Sequence, residues 1–228
     1  MLWVILTLLV LGAVFGPALW VRWVMQRYAT VIDGMPGTGG ELAQHLVQRW
    51  ELDGVEVEQT ELGDHYDPAR KVVGLSAANY AGKSLTAVAV AAHEVGHAIQ
   101  HAQQDKRLMA RTRLVPVADV LAKVSSGLIF LAPVIGIVTR HPVPVSFIVL
   151  MALAGMLARM LVHLVTLPIE LDASFNKALP ILQQGEYIAP GEEVAVRRIL
   201  RAAALTYVAA ALADVLNLAR WLSILIRR

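Results

Sequence analysis

The sequence predicts a mainly α-helical membrane protein: three or four transmembrane helices joined to a small α+β domain. Three observations lead there. Of the 228 residues, 57% are hydrophobic and the mean hydropathy is +0.57, too apolar for an ordinary water-soluble domain. Several runs reach the roughly 20 apolar residues that a helix needs to cross a bilayer. Between them lie polar stretches with turn signals and one alternating segment, the mark of a small mixed domain. The net charge is only +2, and the basic residues are scattered with little aromatic interleaving, so nucleic acid is not an expected partner. The absence of cysteine excludes disulfides, thiolate metal sites and a cysteine nucleophile.

Residues 1–25 are expected to anchor the chain in the bilayer. Met1–Val21 carries no charge. Trp20 and Trp23 fall where an interfacial aromatic belt would be, and Arg22 and Arg27 follow. A cleaved signal peptide would place its basic residues before the apolar run. Gly34–Gly40 is a turn-rich break. Thr38 and Glu41 then form a capping box for a helix of about 39–50, with an apolar stripe of Leu42, Ala43, Leu46, Val47 and Trp50. His45 lies outside that stripe and should be solvated. Gly54–Thr60 alternates and reads as a strand, Lys71–Leu75 as another, and His65-Tyr66-Asp67-Pro68 as part of their connection. The expected product is a small hairpin whose edge could pair with an extended peptide. His65 and Tyr66 would either reach a site on the next helix or form no more than a polar turn.

That next helix, about Ser84–Gln103 with Ser84 as N-cap, carries His93-Glu94-Val95-Gly96-His97. Residues four apart lie on one helical face, so the two imidazoles can bind one metal ion with Glu94 beside it. Neutral imidazoles suit Zn²⁺ and leave room for a third protein ligand and a water. Glu94 is placed to take a proton from that water. These are the parts of a metallopeptidase. Residues 85–92 are almost wholly apolar, so the helix should be buried, and Gly96 is expected to keep its metal-facing side open.

After the basic segment Asp105–Arg113 the chain turns apolar twice. Leu114–Thr139 and Val145–Leu167 are expected as two antiparallel membrane helices linked by Arg140–Pro144. A polar stretch from Pro168 follows, with a short helix over Glu192–Leu200. Ala202–Ile226 is apolar again apart from a stripe of Asp214, Asn217 and Arg220, and reads as a fourth span or an interfacial helix. The domain reading is therefore 26–113 with 168–201 as the site domain, 114–167 as an inserted membrane hairpin, and 202–228 as a C-terminal apolar helix. Two crossings separate His97 from Glu170, so both emerge on one side. Lys106, Arg107, Arg111, Arg113, Arg22 and Arg27 mark that side as cytoplasmic at the cell (inner) membrane.

A two-histidine zinc needs a further protein ligand, and Glu170, Asp172, His163 and His101 are candidates. His101 would have to strain to reach the same ion, whereas Glu170 follows Pro168 near a membrane exit on the correct side.

The motifs AVAVAAHEVGHAIQ, LGDHYDP, LSAANY, PIELDAS and LRAAALTYVAAAL, in this order and spacing, resemble the YugP-type membrane zinc metallopeptidases over nearly the whole chain. The resemblance implies a zincin-like domain and a single Zn²⁺ held by His93, His97 and Glu170, as in gluzincins. It also implies Glu94 as general base and a peptide or protein substrate at the lipid bilayer. Many gluzincins carry Asp four residues after the ligand Glu. Here that position is Ser174 and the nearby carboxylate is Asp172, so either is a candidate to support a ligand imidazole, and Asp172 remains an alternative ligand. Tyr207, His65, Tyr66 and Arg201 are candidate oxyanion donors. Two other readings stand beside this one. An intramembrane protease would need a later Leu-Asp-Gly, but Leu52-Asp53-Gly54 precedes the histidines. A catalytically idle zinc scaffold would not require Glu94.

Overall fold

The computed structural model describes residues 1–226. In order the elements are α1 (Leu2–Arg27), α2 (Gly39–Arg49), β1 (Glu56–Gln59), β2 (His65–Asp67), β3 (Val72–Leu75), α3 (Ala77–Tyr80), α4 (Leu85–Ala102), α5 (Lys106–Thr139) and α6 (Pro142–Leu171). A π-helical segment (Asp172–Ala178), α7 (Leu179–Gln184), a 3₁₀ turn (Pro190–Glu192) and α8 (Glu193–Ile226) complete the chain. The protein is mainly α-helical with one three-stranded sheet. Two compact units are formed, Pro17–Met109 with Leu167–Thr206, and Met1–Gly16 with Ala110–Thr166 and Tyr207–Arg228.

In the first unit, α4 is buried from Leu85 to Gln100. Its start is set by Ser84, whose Oγ accepts the Ala87 N–H. The expected capping box of α2 is present: Thr38 Oγ1 accepts the Glu41 N–H at 3.2 Å, and Glu41 Oε2 accepts the Thr38 N–H at 2.7 Å. Leu46 of α2, Ile99 of α4, Leu182 of α7 and Ile199 and Leu200 of α8 are among the fully buried side chains of this core. Burying side chains of this size stabilises by roughly 1.5–3 kcal/mol each.

The sheet differs from the expected hairpin. Its order is β1-β3-β2, with β1 parallel and β2 antiparallel to β3. His65–Asp67, expected in a connection, is itself a strand. The turn begins at Asp67, whose Oδ1 accepts the Ala69 and Arg70 N–H groups, and Lys71 closes it at φ 55°. The hairpin is therefore β2–β3, and β1 takes the other edge of β3. Asp64 locks this arrangement: it accepts from the Ser76 N–H and hydroxyl and from Asn79 Nδ2.

The second unit contains most of the apolar helices. Among the described residues, three helical stretches are long and apolar enough to cross a membrane, Lys106–Thr139, Val143–Gln184 and Pro190–Leu216, the last two continuing into the first unit. Phe130 and Ile137 are 74% and 76% exposed, which a hairpin facing water would not favour. Within the α5–α6 hairpin, a Cβ on Gly155 would lie 3.0 Å from the Leu121 carbonyl oxygen and displace the Ser125 hydroxyl, so glycine favours this close helix approach. Arg140 turns the hairpin at φ 50°. Two bounds differ from expectation. The basic segment belongs to α5, because Asp105 Oδ1 accepts the Arg107 N–H and caps that helix. Glu192–Leu200 and the last apolar run form one helix, α8, since no Gly or Pro separates them. Parts of the α1 reading, and Asn217 and Arg220 of the α8 stripe, concern side chains outside the described residues.

Candidate metal centre

The buried middle of α4 presents His93, Glu94 and His97, which are 4%, 7% and 4% exposed. The last turn of α6 presents Glu170, 1% exposed. Glu170 Oε2 lies 3.2 Å from His93 Nε2 and 3.3 Å from His97 Nε2. Each of the three residues offers a donor atom, and these atoms all lie within 4.8 Å of one another, so the group could hold a metal ion. Gly96 makes the approach of the two helices possible. A Cβ there would meet the Ala173 carbonyl oxygen at 2.9 Å. Its role is close contact with the π-helical segment, not the open metal-facing side expected from sequence.

The far sides of the two rings decide what the near sides can do. Ser174 donates its hydroxyl proton to the Leu200 carbonyl, 3.1 Å away, so its oxygen accepts from His93 Nδ1 at 3.0 Å. Gln100 Nε2 donates to the Ile169 carbonyl at 3.0 Å and to Asp172 Oδ2 at 2.8 Å. Its Oε1 is thereby turned to accept from His97 Nδ1 at 2.9 Å. This bonding favours a proton at Nδ1 of each imidazole, with Nε2 directed towards Glu170. Rings of that tautomer and a carboxylate place three electron-pair donors around one point, a set that calls for a cation. Imidazole nitrogen with a carboxylate oxygen is zinc chemistry, so the residues fit that ion.

With no cation between the groups, burial would push the Glu170 carboxyl up, while charge on His97 and hydrogen bonds from the Nε2 side of both rings hold it below the usual carboxylate range. A metal cation can replace the proton that a ring would otherwise place at Nε2. The π-helical segment begins two residues after Glu170, and its wide turn brings Ser174 to His93. Such segments recur at functional sites.

Among the described residues, the other candidates are not part of this donor group. Asp172 is not in the donor group. It accepts from Gln100 and, through Oδ1, from Asn176 Nδ2 at 2.8 Å; burial would raise its carboxyl, and these bonds lower it on balance. His65 Nδ1 donates to the Gly63 carbonyl at 2.8 Å. The Tyr66 hydroxyl meets His101 Nδ1 at 2.8 Å, and burial together with Asp67 pushes its phenol up to about 12. Arg201 is exposed. Tyr207 belongs to the second unit, where Arg111 donates to its hydroxyl and lies 5.1 Å from its ring centre. His163, also there, faces Asp214 at 3.4 Å. Gln100 was not singled out in the sequence. The signal was available: a glutamine three residues after His97, inside a helix too apolar to bury an amide without partners.

Residues 2–226 match the model of a protein family described as "Putative neutral zinc metallopeptidase". The chain belongs to this family. A relative from Bacillus subtilis (strain 168), described as "Putative membrane protease YugP", is 35% identical over 226 residues, covering 98% of this chain and 96% of the relative. No solved structure matches the chain. Membership of a zinc metallopeptidase family accords with the donor set at His93, His97 and Glu170.

Proposed function

We propose that this family member is a multi-pass membrane zinc endopeptidase of the gluzincin type, with one Zn²⁺ held by His93, His97 and Glu170. The observation that carries the reading is the convergence of three buried donors whose imidazole Nδ1 protons are committed elsewhere. Bound zinc would supply a Lewis acid for the scissile carbonyl and bring the pKa of water towards neutrality. Glu94, next to His93 on α4, takes the water's proton and returns it to the leaving amine. An extended peptide would pair with the sheet edge beside α4, by strand addition. His65, Tyr66 and Arg201 remain the residues to test as oxyanion donors, and Ser174 supports His93.

The site domain combines 26–113 with 168–201 around the membrane hairpin 114–167. Lys106, Arg107, Arg111 and Arg113 favour a cytoplasmic position for it. A site close to the bilayer favours membrane or membrane-associated proteins as substrates. The deciding experiment replaces Glu94 by Gln. Peptide cleavage is expected to fall by roughly 10²–10⁴-fold while bound zinc stays at the wild-type level. Activity near wild type would reject the proton-transfer role.

A further inference from the structure

The metal-site reading leaves one buried amide unexplained. Gln100 is 1% exposed, and all its polar contacts are directional: Oε1 to His97 Nδ1, Nε2 to the Ile169 carbonyl and to Asp172 Oδ2. Asp172 is held in turn by Asn176. A primary amide has one acceptor end and one donor end. With an anionic carboxylate and a carbonyl on one side, its NH₂ group must face them. Its oxygen must then face His97, and His97 must supply the proton. Reversing the amide would set its oxygen against Asp172 and Ile169, oxygen to oxygen.

We infer that Gln100, oriented by Asp172, is the positioning residue that holds His97 in the Nδ1–H tautomer and ties the Glu170 helix to the helix of the paired histidines. The inference rests on the zinc-site reading and deepens it. Asp172 is close to the metal donors but acts on them through an amide, so its negative charge fixes the direction of a hydrogen bond without entering the donor set. The bond to Ile169 adds a second effect. Ile169 immediately precedes Glu170, so Gln100 sets the height at which the carboxylate meets the rings. His93 uses a different device, the Ser174 hydroxyl, whose proton is spent on Leu200. The two rings are therefore oriented independently, and of the two a change at Gln100 should alter the tautomer of His97 only.

The test uses the full-length protein in detergent, with two variants: Gln100→Leu, and Gln100→Glu combined with Asp172→Asn. The second exchanges the two functional groups: the carboxylate introduced at position 100 accepts from His97, and the amide introduced at position 172 can donate to its other oxygen, with the bond to the Ile169 carbonyl given up. Two quantities are measured. One is zinc affinity, by competition with a chromogenic chelator. The other is the tautomer of His97 in metal-free protein labelled with ¹⁵N-histidine, at a pH where the rings are neutral. In the wild type, His97 is expected to carry its proton on Nδ1. Gln100→Leu should shift His97 towards the Nε2–H form, leave His93 unchanged and weaken zinc binding about 10–100-fold, the usual size of such support. The exchanged pair should restore the Nδ1–H form and recover part of the lost affinity, stopping short of wild type because the bond to the Ile169 carbonyl is gone.

A wild-type His97 protonated at Nε2 overturns the inference, whatever the variants do. So does a Gln100→Leu protein whose His97 tautomer is unchanged, or an exchanged pair no better than Gln100→Leu. If Gln100→Leu does not fold, the wild-type tautomer and the exchanged pair still decide. A wild-type protein that binds no zinc would sink the metal-site reading instead, and the tautomer measurement would still judge Gln100.

Discussion

Each of the two units sets histidine against carboxylate, buried in the first and partly exposed in the second, and the two clusters behave in opposite ways. In the first unit, His93 and His97 reach Glu170 only after their Nδ1 protons have been placed on Ser174 and Gln100. Electron-pair donors meet, and a cation must come from outside. In the second unit, Asp214 lies 3.4 Å from His163 and 3.5 Å from Arg159. The guanidinium is always charged, so this carboxylate already has its counter-ion. The residue types are nearly the same. What separates a metal centre from an interhelical ion pair is where the protons already reside, which depends on the atoms behind each ring.

Four substitutions can break or sharpen that contrast. The largest effect is expected from Glu170→Ala, which removes the shared acceptor. Bound zinc, measured by elemental analysis, should fall from one ion per chain to near zero; an unchanged content would move the third donor to Asp172. Ser174→Ala removes only the hydroxyl behind His93. Zinc should still bind, roughly 10–100-fold more weakly, as read by chelator competition. Asp214→Asn should leave zinc content alone and lower stability by about 1 kcal/mol, the scale of a polar contact between membrane helices. Unfolding by denaturant in detergent measures this, and loss of zinc there would erase the distinction between the clusters.

The smallest effect concerns alkaline pH. The folded protein holds the Tyr66 proton more tightly than the unfolded chain, with a value raised from 10.0 to about 12. Its contribution to stability is therefore whole below pH 10 and is lost as the pH rises through about 12. Because this ring is only half-buried, solvent screening keeps that contribution below about 1 kcal/mol. Tyr66→Phe should flatten the fall in stability across that window, as followed by thermal unfolding at a series of pH values.

Much of this fold is legible locally. The Thr38–Glu41 box, the Ser84 cap and the apolar runs of α5, α6 and α8 depend on neighbours within a few residues or on simple length, so sequence patterns report them. The sheet depends on pairing across the chain. A three-residue strand at His65–Asp67 is too short to show alternation, and the parallel partnership of β1 with β3 leaves no mark in either strand. The Asp67-Pro68 turn was visible, but not which strands it joined. The π-helical segment after Glu170 could not be read either, because its extra residue per turn has no compositional signal. At the site, the paired histidines follow from their spacing of four. Of the supporting set, Asp172 and Ser174 are legible as alternatives; which of these and Gln100 turns to which ring depends on the way an amide and a hydroxyl point, which only three-dimensional neighbours determine.

The order of the donors along the chain has a consequence for biosynthesis. His93 and His97 leave the ribosome long before Glu170, with the whole of α5 and most of α6 made in between. On the reading proposed above, a nascent chain has two imidazoles and no completing carboxylate until the hairpin has been synthesised. Hydrolytic competence would then arrive late, only after the hairpin of α5 and α6 has been made. A product that stops before Glu170 would lack the completing donor and be inert.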